Sequence, residues 1–320
     1  MTWIVGTDEA GYGPDLGPLV ISASAWRVPE SLSPQRMYDA LAGCIVGEIG
    51  KSRGERLSVA DSKRLYQPGR GLFELERSLF PLLAVLEARP TTWCELWNWL
   101  APGDFEGAAG EPWHDGFELP LPTVLSGELS QRLEAVVRCG LQSAEVRLVR
   151  LRSRAVFPAE YNRLVDCWGG KGAMLSRLTI ELARSLIAEL DDEPVMVMCD
   201  KHGGRNRYAA LLAEAFDQAL ITADEEGSAR SIYRLRGPHA PLQFHFTAGG
   251  EACLPVALAS TVSKYLRETA MAALNHFWCR RVPGLRPTAG YPTDARRFRN
   301  AIRKEQHALG IPDAVLWRER

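Results

Sequence analysis

The chain has 320 residues, with 38 Lys and Arg against 39 Asp and Glu and a formal net charge of −1. That length can bury a substantial core in one large or two smaller domains, and the 46% hydrophobic and 24% charged residues are ordinary for a soluble globular protein. A neutral balance excludes nucleic-acid binding by overall charge, so such a surface would have to come from local clustering.

The chain opens on a short apolar strand, from Ile4, that delivers the adjacent carboxylates Asp8 and Glu9. A turn dense in Gly and Pro follows, then a second apolar run over residues 19–25. Neighbouring strand residues point to opposite faces, so both acids serve one site only if the strand bends or ends there. Gly11, Gly13 and Pro14 permit that, and free glycine N–H groups can hold a phosphate. Read alone, the stretch serves equally well as a hairpin with an acidic tip.

Residues 34–49 read as a helix. Asp61 or Ser62 is placed to cap a further helix after a loop that opens at Ser58. Over residues 88–127 Pro, Gly and Trp dominate and periodicity is poor, which reads as an insertion or small lobe. Its tryptophans suit a local core better than a base-stacking surface. Residues 130–141 read as a helix and 144–151 as a strand. A turn over 156–162 leads to a long helix over about 172–190.

The run Pro194 to Cys199 is apolar enough for a strand buried on both faces, and Asp200 falls at its carboxyl end, where ligand sites in α/β sheets gather. Residues 207–216 read as a helix, 230–236 and 242–247 as strands. On the helix that follows, Ser260, Lys264 and Glu268 share one face at i, i+4, i+8, beside an apolar stripe of Leu258, Val262, Leu266 and Ala273.

From Arg280 to Arg320 ten Lys and Arg stand against four Asp and Glu, a basic cluster that charge alone reads as a solvated helix face. Seven scattered cysteines with no CxxC pair argue against a disulfide framework and a zinc site. Asp8 and Glu9 interrupt any signal-peptide core, and no apolar run is long enough for a bilayer. The expectation is a soluble cytoplasmic protein with no membrane contact.

The opening stretch resembles the signature of the ribonuclease HII/HIII family, roughly D-E-A/S-G-R/K-G-x-x-x-G-P. Asp8, Glu9, Ala10, Gly11, Gly13, Gly17 and Pro18 match, and Tyr12 stands where the family usually carries Arg or Lys. Further segments follow in order. Asp61, Ser62, Lys63 and Leu65 match a D-S-K-x-L, and Asn162 takes the Asn of an I-x-x-x-N turn. The stretch from Gly249 to Glu268 resembles G-D…A-A-S-I-x-A-K-x-x-R-D, with Ser260, Lys264, Arg267 and Glu268 matching or nearly so. Gly290, Tyr291 and Thr293 resemble G-Y-x-T, and Leu309-Gly310 with Trp317-Arg318 sits where the family ends in G-P…H-R. The family's His after G-Y-x-T is Arg296 here. Only residues 88–127 lie outside the likeness.

The resemblance implies an RNase H-like α/β fold: a mixed central sheet flanked by helices, with a helical C-terminal region. It implies one catalytic domain over 1–320, interrupted by the insertion at about 88–127, with the basic helical region from about 270. Its look is nearest to ribonuclease HII, then to the catalytic domain of HIII. The separate N-terminal domain of HIII is not expected, because the acid pair begins at Asp8.

The implied activity is that of an endoribonuclease hydrolysing the RNA strand of RNA–DNA hybrids, with Mg²⁺ or Mn²⁺ in a two-metal site about 3.5–4 Å apart. The implied catalytic and metal ligands are Asp8, Glu9, Asp200 and Glu268. Glu268 stands where the family has Asp, and its extra methylene bears on metal preference. Implied substrate contacts are Gly11, Tyr12, Gly13, Lys63, Asn162, Ser260, Lys264 and Tyr291, with Tyr291 equally suited to a core. Tyr12 cannot make an Arg's phosphate fork, which bears on reading of the junction by the 2′-OH. No obligate protein partner is implied. The alternatives are a hybrid-binding protein that no longer cleaves and a metal-dependent nuclease acting on another structure.

Overall fold

The computed structural model describes residues 1–48, 56–66, 71–104, 108, 110–238 and 240–319. Strand β1 (Thr2–Ala10) is apolar and largely buried, and β2 (Leu19–Val28) returns antiparallel to it from Thr2↔Val28 to Ala10↔Val20. A 3-10 turn at Pro34–Arg36 leads into the short α1 (Met37–Ala40), then β3 (Ile45–Val46) and β4 (Leu57–Ser58), which pair parallel to each other. The helix expected over 34–49 therefore ends at Ala40. Beyond it the chain turns so that Ile45 can bury beside Leu57 in the core. The expected end at Ile49 lies outside the described residues.

Helices α2 (Ser62–Leu65), α3 (Phe73–Val85), α4 (Trp93–Leu100) and α5 (Gly127–Ser143) come next, then strand β5 (Arg147–Val156). Asp61 caps α2 by accepting from the Lys63 N–H, as its side chain suits it to do. Helix α4 begins with a capping box between Thr92 and Glu95. Its Trp93 and Trp97 bury in the main core rather than in one local to residues 88–127. Trp113 buries in a separate cluster, and Trp99 is exposed. Glu76 of α3 is fully buried and accepts from the Thr123, Val124 and Leu125 amides and the Tyr265 hydroxyl.

Residues 156–162 were expected as a turn, but most belong to α6 (Pro158–Trp168). Pro158 suits a first helical position, and Gly169 ends the helix in the left-handed region at φ 74°. The remaining elements are α7 (Lys171–Ile187), β6 (Val195–Asp200), α8 (Ala209–Ala215), β7 (Leu220–Glu226), β8 (Arg230–Arg236), β9 (Leu242–Thr247), α9 (Leu254–Arg281), α10 (Pro292–Ala308) and α11 (Asp313–Leu316).

The main sheet runs β5-β2-β1-β6-β9-β8-β7. β2 runs antiparallel to both of its neighbours, β5 and β1, while β1, β6 and β9 are parallel, and β8 and β7 complete an antiparallel edge. This is the expected α/β arrangement, a mixed sheet flanked by helices with a helical C-terminal region. One face packs on α3, α4, α5 and the first half of α9, and the other on α6, α7 and α8. The second half of α9 forms a third cluster with α10 and α11. Gly6 is what lets α9 lie close on β1, because a Cβ there would overlap the Pro255–Val256 backbone. Buried serines add a polar stitch: Ser263 Oγ of α9 donates to the Asp8 carbonyl at 3.0 Å and pairs with Ser22 Oγ of β2 at 2.8 Å. Among the described residues no helix is long and apolar enough to cross a membrane.

Candidate active site

The parallel register pairs Thr7 with Cys199, so the next residues, Asp8 and Asp200, stand side by side at the carboxyl ends of β1 and β6. β6 stops there, while β1 continues against β2 alone to Ala10. The sheet therefore opens beside Glu9. Asp8 is buried and accepts the Glu9 N–H on Oδ1 at 2.8 Å. The third contribution comes from the 3-10 turn Gly250–Ala252 just before α9. The Gly250 N–H donates to Asp200 Oδ1 at 2.9 Å, which brings Glu251 to the same place.

The carboxylates are held against their own charge. Burial, then repulsion from Glu9, Asp200 and Glu251, pushes the Asp8 carboxyl well above its usual range, opposed by a hydrogen bond from Ser260. Burial, then Asp200 and Glu251, pushes Glu9 up to about 7, with Lys63 opposing. Burial and Asp200 likewise raise Glu251. Lys63 Nζ stands 3.9 Å from Glu251 Oε1 on a side chain that is 83% exposed, so it offsets little buried charge. The Ser260 hydroxyl also pairs with Ser62 Oγ at 2.9 Å, joining α9 to the loop that bears Lys63.

Glu268 belongs to a different group. Its Oε1 takes Lys264 Nζ at 2.7 Å and Arg267 Nη1 at 3.2 Å, and the Tyr66 hydroxyl bonds to it as well. It does not figure among the principal charges acting on Asp8, Glu9 or Glu251. The physical reason is helical: Glu268 lies two turns beyond Ser260, where the i−4 lysine and the buried Arg267 claim it. Sequence reasoning passed over Glu251, although a signal was there. Glu251 follows Gly250 as Asp follows Gly in the G-D that opens the resembled segment.

The other expected contacts divide. Lys63 and Ser260 lie at the acids, and Lys264 stands over the Tyr66 ring at 4.5 Å. Gly11 has φ 93°, and a Cβ there would meet Pro18 O at 2.6 Å and Arg267 Nε at 2.7 Å, so only glycine fits. Gly13 faces open space. Tyr12 has its ring under Lys171 Nζ at 4.9 Å and feels the charge of Glu9. Tyr291 is exposed beside Arg267. Asn162 is buried against the C-terminal segment: its amide donates to Trp317 O at 2.8 Å and accepts the Glu319 N–H at 2.7 Å. Both halves of that amide are engaged by the C-terminal segment.

The same segment pins the glycine loop. Arg318 is buried, donates to the carbonyls of Gly11 and Gly17, and lies over the Tyr161 ring at 4.8 Å. Burial, with Arg267 nearby, pulls its guanidinium down to about 9.

The acids fit a divalent metal in kind, since hard cations take oxygen ligands, and in charge, since buried carboxylates that repel one another are relieved by a cation. Among the described residues no three such side chains stand close enough to hold an ion as they lie.

No protein-family model matches the chain, and no curated protein matches it. Solved structures do resemble it. The PCNA:RNase HII complex from Archaeoglobus fulgidus is 15% identical over 99% of this chain and 94% of that one, with a TM-score of 0.43. Ribonuclease H2 from Pyrococcus horikoshii OT3 is 14% identical over 98% and 92%, also at 0.43. Bst-RNase HIII in complex with Mn²⁺ is 15% identical over 99% and 66%, at 0.38.

Proposed function

We propose that the chain is a metal-dependent endoribonuclease that hydrolyses the RNA strand of RNA–DNA hybrids. The observation that carries this is the meeting of Asp8, Glu9, Asp200 and Glu251, from two strand ends and one turn, in a partly buried group without matching positive charge. Four clustered carboxylates are costly to fold and are useful once a cation is bound.

In this reading Asp8, Glu9, Asp200 and Glu251 hold the metal, and Glu251 replaces Glu268 as the fourth ligand. Bound divalent cations would supply an activated water and charge neutralisation for phosphodiester hydrolysis. The chain's own residues prepare the acids. Ser260 orients Asp8, the Gly250 amide orients Asp200, and Lys63 stands ready at the rim for a phosphate. Glu268 acts one layer away, holding Lys264 and Arg267 in place.

A second reading has one observation in its favour, the separation of the acid side chains. It is a hybrid-binding protein with weakened chemistry. Incubating purified protein with a labelled hybrid and Mg²⁺ or Mn²⁺, beside a duplex DNA control and Asp8→Asn, separates the two. Cleavage of the RNA strand that needs both metal and Asp8 is the expected result. Binding without cleavage under every metal condition selects the second reading.

A further inference from the structure

Beside the acids lies an open cleft of about 560 Å³ whose lining includes Tyr12, Gly172, Gly203, Gly204, Arg205 and Arg207, and no carboxylate. It is built where the loop after β6 meets the start of α7. Tyr12 is its inner wall: Cβ atoms added at Gly172 and Gly203 would lie 3.6 and 4.0 Å from the Tyr12 hydroxyl. Lys171 Nζ sits over the Tyr12 ring at 4.9 Å, and Arg205 is among the charges that act on Tyr12. Among the described residues neither Lys171 nor Arg205 has an ion-pair partner, whereas Arg207 has Glu226 at 3.6 Å. Gly203, with φ 60°, and Gly204 sit on an exposed turn whose recorded backbone bond runs from the Arg205 N–H to His202 O.

Charge without a partner in a concave, carboxylate-free site is a recipe for an anion. Tyr12 also feels Glu9, so the cleft and the acids share a wall. We propose that this cleft is a phosphodiester-binding subsite in which Lys171 and Arg205 grip one backbone phosphate of the nucleic acid, one step along the strand from the acids. This rests on the reading that the chain binds nucleic acid. The chain's aromatic at Tyr12 then becomes a platform: it supports Lys171 by cation–π contact and leaves the phosphate grip to α7 and the β6 loop.

The test is equilibrium binding of a labelled hybrid and of duplex DNA, with a chelator present, from about 50 to 200 mM salt. It compares the parent chain, Lys171→Ala/Arg205→Ala, Lys171→Arg/Arg205→Lys, and Arg132→Ala as a distant surface control. The subsite predicts that the double alanine variant binds about tenfold more weakly at low salt. Its log–log salt slope should be shallower by about 0.9, for the one lost phosphate contact. The charge-preserving pair should recover most of both, and Arg132→Ala should match the parent.

Parent binding with a double alanine variant of the same affinity and slope overturns the subsite and leaves the functional reading standing. The predicted loss on duplex DNA and hybrid alike, with the parent showing no hybrid cleavage under Mg²⁺ or Mn²⁺, supports the subsite and defeats the hybrid-nuclease reading. A parent that binds neither probe at low salt overturns both.

Discussion

The Gly250 amide donates to Asp200 Oδ1 at 2.9 Å, so the turn carrying Glu251 is docked on the acid that ends β6. The dock is tight. A Cβ at Gly250 would come 3.1 Å from both N and Cα of Asp200 and 3.2 Å from the Cys199 carbonyl oxygen. Gly250→Ala should therefore shift the turn, cost about 1–2 kcal/mol of stability, and lower hybrid cleavage more than hybrid binding. Denaturant titration with parallel cleavage and binding assays checks all three. An alanine variant with parental turnover would show that the dock does not matter to the acids.

Glu251 and Glu268 should part company when each is neutralised. Glu251→Gln removes a carboxylate from the acid group and should cut cleavage by about a hundredfold or more, with folding intact. Glu268→Gln leaves the buried Arg267 and its neighbour Lys264 without their counter-charge and should cost about 1–3 kcal/mol of stability. If Glu268→Gln abolishes cleavage in a fully stable protein while Glu251→Gln is active, the proposed ligand set is wrong.

The raised acids give the metal-free protein a definite pH dependence. Glu9 sits near 7 in the fold against about 4.5 in the unfolded chain, so its favourable contribution is complete below about 4.5 and is lost as pH rises through about 7. In chelator at pH 8, Glu9→Gln should be more stable than the parent by on the order of 1–3 kcal/mol, and at pH 4 it should gain nothing. Adding Mg²⁺ or Mn²⁺ at pH 8 should stabilise the parent and leave the variant nearly unmoved. Melting curves across pH, with and without metal, are the measurement. A parent whose stability rises through pH 7 in chelator contradicts the account of Glu9.

Asn162 was expected at the substrate and is instead tied to the C-terminal segment through Trp317 and Glu319. Asn162→Ala should cost about 1–3 kcal/mol of stability, because it strands a buried carbonyl and amide. Below its melting temperature its affinity for hybrid should stay close to that of the parent. A large affinity loss in a stable Asn162→Ala protein would return the residue to the substrate surface.

What the chain disclosed from its letters alone, and what it withheld, follows the range of the forces involved. β1, β2 and β6 were legible because two-sided burial writes itself as largely apolar runs, and β9 because Phe244 and Phe246 alternate with polar residues. Asp8 and Asp200 were legible because each ends such a run. Strand β7 was not, since its residues are mostly solvent-facing on a sheet edge and carry no alternation. The end of α1 was hidden too: propensity continues past Ala40, and only the burial of Ile45 and Leu57 together breaks the helix. The choice between Glu251 and Glu268 had a signal in the letters, the Gly250-Glu251 pair standing where the resembled segment has G-D. Packing adds the rest: Gly250 docks its turn on Asp200, and Lys264 claims Glu268.

The grip of Arg318 on the Gly11 and Gly17 carbonyls joins positions 307 and 301 residues apart. Synthesis runs from the N-terminus, so β1 and both of its acids are made long before the side chain that steadies the loop beyond them. Contacts of such separation are slow to close, because the intervening chain must be ordered first. A growing polypeptide therefore carries its acid pair, unsteadied, until Arg318 is added. A product that stops short of position 318 would hold the same carboxylates beside a slack loop.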